Sequence, residues 1–160
     1  MKRLSFLLVI VSLISGCAHV VSKDLRDKAE KTVPVSELFR NPDTYKGRIF
    51  ILGGTIVSSA NTQEGTYIEV IEKPLECRDR PQYTDLTRGR FIVFYEGYLD
   101  TAIFSQGRNV TVAGEIMGTK VRTLGEIDYH YLLLKSRGLY LLQPDYDIPI
   151  QFGIGVSHSF

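Results

Sequence analysis

The sequence of 160 residues has no tryptophan, only two cysteines and three histidines. Two cysteines are too few for a disulfide framework or for a zinc site with four thiolate ligands, and His19, His130 and His158 show no metal-ligand spacing. The formal net charge of +1 gives no excess of one sign that would attract nucleic acid. The sequence therefore predicts neither a metal centre nor a nucleic-acid-binding surface.

Motifs of catalytic sites are missing as well. No serine lies in a G-x-S-x-G elbow, and there is no glycine-rich phosphate-binding loop. Glu126 and Asp128 are close in sequence, but strand alternation places both on one solvated face, and paired-carboxylate catalysis also requires a cleft. We therefore predict a protein that is not an enzyme and that uses no cofactor.

The chain begins with the pattern of a leader. Lys2 and Arg3 precede an apolar run at 4–14, which is shorter than the roughly 20 residues that a membrane-spanning helix needs. The run ends in LISGC at 13–17, which resembles the lipobox of bacterial lipoproteins. A basic start, a short apolar core and small residues before the cleavage point are typical of a signal peptide. We predict a cleaved lipoprotein signal peptide over 1–16.

The lipobox resemblance implies a lipid anchor. In bacterial lipoproteins the cysteine, here Cys17, carries S-diacylglycerol and an N-acyl chain. Each buried CH₂ contributes about 0.8 kcal/mol, so three chains on one residue hold a protein at the membrane. Ala18 stands where an aspartate tends to retain lipoproteins in the inner membrane, so the sorting rule implies the outer membrane. Covalent lipid on Cys17 is the one non-protein group that we expect.

Cys77 is then left without a disulfide partner in its own chain. We interpret it as a shielded structural thiol, and an intermolecular disulfide in the oxidising periplasm is the alternative. The absence of a nearby histidine argues against a catalytic thiol.

Alternating apolar and polar residues predict a mostly β domain over 34–143. Strands are predicted at 48–57, 66–72, 91–95, 110–117, 129–134 and 139–142. Pro34 opens a short helix at 35–40 and Pro42 prevents its continuation. Apolar residues in 97–107 predict a helical turn that caps one barrel end.

The segment 17–33 is polar and charged, with alternating signs. It is predicted to be the lipidated N-terminus followed by a charged tether, with a short solvated helix as the alternative.

Glycines inside the predicted strands favour a closed barrel. Gly53, Gly54 and Gly114 lie at mid-strand, where glycine permits a bulge or a sharp bend. With short helices and five or six short strands, the pattern predicts an all-β fold, a small OB-like barrel. A β-sandwich is the alternative.

Four arginines form the candidate anion-binding set. They are Arg78, Arg80, Arg88 and Arg90, with Tyr83 between them. Arginine suits phosphate and carboxylate groups, and OB-like barrels often bind oligonucleotides or oligosaccharides. Because nucleic acid is not expected outside the cytoplasm, the hypothesis is contact with lipopolysaccharide phosphates or glycan. The alternative is a solvated loop in which Asp79 and Asp85 neutralise the arginines.

The tail at 144–160 alternates again. Its apolar positions are Ile148, Ile150, Phe152, Ile154 and Val156. This pattern predicts an added strand, in the domain's own sheet or at a partner's edge, whereas Pro144 and Pro149 favour disorder.

A succession of short motifs over about 33–142 resembles the Slp family of starvation-inducible outer-membrane lipoproteins. The motifs are YKGR at 45–48, LGGTI at 52–56, EKPL at 72–75, GRF at 89–91, GYLD at 97–100, and GR at 107–108 before TVAGE at 111–115. The resemblance implies a small lipid-anchored β domain without assigned catalytic residues and a role in envelope stability under starvation or acid stress. The alternative function is that of a periplasmic-face binding module, whose partner would be glycan, lipopolysaccharide or another envelope protein. One departure is Thr101, where the family pattern has proline.

Overall fold

The computed structural model describes residues 19–143. The predicted signal peptide, Cys17 and the tail at 144–160 lie outside the described residues. The described part contains helices α1 (Lys23–Lys28) and α2 (Val35–Arg40), and strands β1 (Ile49–Thr62), β2 (Gly65–Lys73), β3 (Arg90–Tyr95), β4 (Asn109–Leu124) and β5 (Ile127–Leu141). Short 3₁₀ turns lie at Pro42–Tyr45 and Cys77–Asp79. Within 19–143, neither helix has the length and apolarity needed to cross a membrane.

The strands close into one barrel in the order β1-β2-β3-β5-β4, and β4 pairs back onto β1. Neighbouring strands are antiparallel except for β3 and β5, which run parallel. Closure pairs the sheet edges with each other, so no long edge is left to aggregate. The predicted all-β barrel is confirmed with five strands, and the sandwich alternative is wrong.

Alternation in the strands fills the barrel with apolar side chains. In β2, Ile68 and Val70 point inward with Glu72, whereas Tyr67 and Glu69 point outward. The other buried core side chains are Leu38, Phe50, Leu52, Ile56, Phe91, Val93, Val110, Val112, Ile116, Leu132 and Leu134. Each large apolar side chain contributes about 1.5–3 kcal/mol when it is fully buried.

Helix α2 closes one end of this core. Its predicted bounds are confirmed, with Pro34 at the N-cap position and Pro42 starting the next 3₁₀ turn. Leu38 is completely buried in the core, and Val35 and Phe39 pack against it. Two prolines therefore position a single apolar turn over the barrel opening.

Mid-strand glycines lie where the strands of the barrel pack closely. Around Gly53 and Gly54, β1 pairs with β2 and β4 at once. A β-carbon at Gly54 would overlap the carbonyl oxygen of Ile71 in β2. Gly114 lies at a register shift between β4 and β5, where a β-carbon would be 2.9 Å from the Leu134 β-carbon. These contacts leave no room for a side chain at Gly54 or Gly114, and the corner role of the glycines stays a prediction.

The strands are longer than the sequence predicts. β5 is one strand where two were expected, because Gly138 stays in the ladder opposite Ala113. The glycine is instead explained by α1, since the Leu25 side chain would lie 2.6 Å from a β-carbon at Gly138. The connection between the strands predicted at 48–57 and 66–72 shrinks to the two residues between Thr62 and Gly65. The C-terminal end of β1 is polar, so it lacks the apolar alternation from which a strand is predicted.

The connection between β3 and β4 contains a single hydrogen-bonded turn. The Phe104 amide donates to the Asp100 carbonyl at 2.9 Å, and Leu99 and Phe104 pack against the core. The prediction of a turn that caps a barrel end is therefore confirmed, although no full helix forms there.

The N-terminal segment is fastened to the barrel on both sides of α1. Val21 is 1% exposed and Ala29 is 9% exposed. The Glu30 amide donates to the Ile49 carbonyl at 2.7 Å, and the Ser22 amide donates to the Tyr140 hydroxyl at 3.3 Å. Of the two alternatives for this segment, the structure shows the short helix, docked against the barrel.

Candidate functional site

The four candidate arginines are held in different ways. Arg88 pairs with Glu72 and Arg90 pairs with Glu69. These two glutamates point to opposite faces of β2, so Arg88 and Arg90 are drawn to different sides of the strand. The guanidinium groups of Arg88 and Arg90 therefore have structural carboxylate partners.

The Arg88–Glu72 ion pair lies at the C-terminal end of β2. Glu72 is 2% exposed and accepts hydrogen bonds from the Arg88 backbone amide and side chain, both at 2.8 Å. A buried carboxylate needs such partners because desolvating its charge is costly. The strand alternation buries the Glu72 side chain. Arg88, from the connection between β2 and β3, supplies the positive charge that offsets the cost of burying the carboxylate.

The connection between β2 and β3 packs over the outside of β1 and β4. The Thr111 hydroxyl donates to the Asp79 carbonyl at 2.6 Å, and Leu75 pairs with Pro81 above Gly53. Arg78 lies in the 3₁₀ turn with a φ of 72°, and the Arg80 carbonyl accepts from the Glu76 amide at 2.8 Å. Arg78 and Arg80 thus belong to a folded part of this connection.

Cys77 begins the 3₁₀ turn of the same connection and is exposed. The prediction of a shielded structural thiol is therefore wrong. The side chain is carried on a turn at the surface, because the apolar packing of this connection is supplied by Leu75 and Pro81 instead.

A second cluster, which sequence reasoning missed, lies on the outer face of β2 beneath the β4–β5 hairpin. The ammonium nitrogen of Lys120 lies 4.1 Å from the centroid of the Tyr67 ring, and the guanidinium carbon of Arg122 lies 5.4 Å from it. The Tyr67 hydroxyl donates to Glu64 at 2.9 Å. Two cations therefore share one aromatic ring, which attracts both through its negative face. We call Tyr67, Lys120 and Arg122 the cation cluster.

Electrostatics in the cation cluster disfavour the charged form of Lys120. Partial burial, and then the nearby Arg122, lower the pKa of Lys120. Burial and the hydrogen bond to Glu64 raise the pKa of the Tyr67 hydroxyl. Within residues 19–143, neither Lys120 nor Arg122 forms a salt bridge. An added anion would offset the repulsion between the two cations.

A closed network below the cation cluster holds the hairpin to the barrel. Arg90 donates to Glu69 at 2.6 Å, and the Tyr131 hydroxyl donates to the same oxygen at 3.1 Å. The Arg90 amide donates to the Tyr129 hydroxyl at 3.2 Å. The hydrogen bond to Glu69 raises the pKa of Arg90, and burial raises the pKa of Tyr131. This network fixes the strands that carry Lys120 and Arg122 over Tyr67.

The part of the chain that the structure describes contains no group of three metal-ligating His, Cys, Asp or Glu side chains. His130 is exposed on β5, and Glu126 and Asp128 are exposed near the hairpin tip. These three positions therefore remain solvated side chains in the described fold.

Comparison with known proteins identifies one family whose pattern this chain matches. The chain matches the family described as "Outer membrane lipoprotein Slp family" over residues 14–152. The match includes the barrel and reaches back into the lipobox at 13–17.

Two curated relatives are similar to this chain. The uncharacterized lipoprotein YeaY of Escherichia coli (strain K12) is 30% identical over 129 residues, covering 79% of this chain and 65% of the relative. An uncharacterized protein of Haemophilus influenzae is 30% identical over 101 residues, covering 61% of this chain and 55% of the relative. The chain therefore spans less than two thirds of the length of either relative.

Among solved structures, the chain is similar to the mitochondrial single-stranded DNA binding protein Rim1 of S. cerevisiae. The identity is 14% and the TM-score is 0.34, over 61% of this chain and 97% of that chain. At this score the likeness supports no conclusion.

Proposed function

Since this chain belongs to the Slp family of outer membrane lipoproteins, we propose that it is a non-enzymatic envelope protein anchored by lipid on Cys17. The observation that carries the proposal is the lipobox at 13–17, placed two residues before a segment that is docked on a folded barrel. His19 and Val20 contact the β2–β3 connection directly. The anchor would thus be coupled to the barrel through a short segment.

We further propose the role that the family resemblance implies, which is support of the envelope under starvation or acid stress. The barrel interior is filled by apolar side chains, so the outer surface is what remains for contact with other envelope components. Neither the family nor the relatives supply positive support for catalysis.

The anchor is tested by replacing Cys17 with serine. We expect mass spectrometry of the native protein to find a chain that starts at an acylated Cys17, and fractionation to place it in the outer membrane. C17S should lose the acyl mass and most of its membrane retention, because the thiol that receives the first lipid is gone. The matched control is Cys77→Ser, which should stay in the membrane. An unmodified Cys17 thiol in a soluble periplasmic protein would contradict the proposal.

A second candidate function is a binding module for phosphorylated glycan, such as lipopolysaccharide. The cation cluster favours it, because Lys120 and Arg122 converge on Tyr67 without a salt bridge among the described residues. A sugar ring can stack on an aromatic side chain while its phosphate meets the cations. The ligand would need to displace the Lys120 ammonium from the ring face.

Binding of purified lipopolysaccharide at low salt tests this candidate. The double variant Lys120→Ala/Arg122→Ala should weaken binding at least about a hundredfold, since charge-assisted hydrogen bonds contribute about 1.5–3 kcal/mol each and about 1.4 kcal/mol corresponds to a tenfold change in affinity. A double variant of Lys23 and Lys28 removes the same charge from α1 and should leave binding unchanged. Equal losses in both double variants would show a general charge effect and would eliminate the cation cluster as a site.

A further inference from the structure

The described chain begins beside the connection between β2 and β3. The Val20 amide donates to the Arg78 carbonyl at 3.0 Å, and the His19 ring nitrogen lies 3.2 Å from the Asp79 carboxylate. Val21, the next residue, is 1% exposed. These contacts fix the first described residues against 77–79.

The distance from this point to the proposed anchor is short. Cys17 precedes His19 by two residues. A chain spans at most about 3.6 Å per residue, so a lipid on Cys17 starts within about 7 Å of the His19 backbone. Because the acyl chains enter the bilayer at that point, the part of the barrel surface around 77–79 must lie near the lipid headgroups.

The same connection carries two large exposed apolar side chains. Tyr83 is fully exposed at 104% and Leu86 is 69% exposed. Tyr83 follows two residues after Pro81, which is fixed by its pairing with Leu75. Tyrosine is favoured at the membrane–water interface, where its ring is buried and its hydroxyl stays hydrated.

We propose that the loop at 82–88 inserts Tyr83 and Leu86 into the headgroup layer of a phospholipid bilayer. The barrel then rests on the membrane through the β2–β3 connection. This inference depends on the lipid anchor at Cys17 that is proposed above. The lipid fixes which end of the barrel meets the membrane, and the two side chains complete the contact.

The opposite end of β3 supplies a matched control. β3 runs from Arg90, next to the loop at 82–88, to Tyr95, which at about 3.3 Å per residue is roughly 17 Å away. Beyond it, Tyr98 is 70% exposed. Tyr83 and Tyr98 are thus two exposed tyrosines at opposite ends of one strand, and the proposed orientation brings only Tyr83 to the bilayer.

The test uses the full-length acylated protein in vesicles of phosphatidylethanolamine and phosphatidylglycerol, with and without doxyl-labelled lipid. Single cysteines replace Tyr83 or Tyr98 in a Cys77→Ser background and are labelled with a thiol-reactive fluorophore. Doxyl lipid should quench the label at 83 about threefold more than the label at 98, since only an interfacial group meets the doxyl groups. Leu86→Cys should behave as Tyr83→Cys does.

The orientation and the anchor fail in different ways. Equal quenching at 83 and 98, or stronger quenching at 98, on protein that floats with the vesicles would overturn the orientation alone. The Cys77→Ser parent should take up no label, because acylation consumes the Cys17 thiol. Labelling of this parent together with failure to float would instead reject the proposed anchor.

Discussion

Replacing Gly54 with alanine should destabilise the barrel by about 3 kcal/mol, the upper end of the usual cost of over-packing. The new β-carbon would overlap the backbone carbonyl of Ile71, and a backbone atom cannot move away by a rotamer change. Relief would require β1 and β2 to separate where Gly54 lies opposite Glu72. The midpoint of urea unfolding, followed by circular dichroism in the far ultraviolet, measures the effect.

Gly107→Ala is the control that measures the cost of replacing a glycine where the added β-carbon meets no other atom. Gly107 has a φ of +85°, but a β-carbon there would have nothing within 4 Å. The expected cost is about 1 kcal/mol, which is the backbone strain of a left-handed alanine. If G54A were no less stable than G107A, the close packing of β1 against β2 would not require a glycine at position 54.

Much of the fold was predictable because its signals are local. Pro34 and Pro42 set the bounds of α2, and alternation in β2 places Glu72 and Tyr67 on opposite faces of the strand. The strand ends were less predictable, since the β4–β5 hairpin continues through exposed residues with little apolar alternation. Gly138 resembled a break between two strands. The structure explains the glycine by a tertiary contact instead, because the Leu25 side chain of α1 packs against it.

The binding surfaces were less predictable than the fold. Arg88 and Arg90 looked like members of one basic cluster, but their glutamate partners lie 16 and 21 residues away in sequence. In the cation cluster, the β4–β5 hairpin places Lys120 and Arg122 over the ring of Tyr67, which lies on β2. No local pattern reports such a contact. The alternation of β2 could only have shown that Tyr67 was available on the outer face.

Truncating Arg88 to alanine is the second substitution with a large expected effect. Glu72 is 2% exposed, and its charge is balanced by the Arg88 side chain, which is itself 39% exposed. R88A keeps the backbone donor but leaves the buried carboxylate without its cation. Removing one member of a buried pair costs about 3–5 kcal/mol, and the partial exposure of Arg88 places the expected loss near about 3 kcal/mol.

A double-mutant cycle with Glu72→Gln separates the charge from the packing. In the Glu72→Gln/Arg88→Ala variant the uncharged side chain can still accept from the backbone amide at 88, so the double variant should be more stable than R88A alone. Arg40→Ala is the surface control, because its pair with Glu37 has side chains 74% and 34% exposed and should contribute less than about 1 kcal/mol. A double variant no more stable than R88A would mean that the Arg88 side chain stabilises the barrel by its contact area. A positive coupling instead assigns this arginine to the buried carboxylate of Glu72.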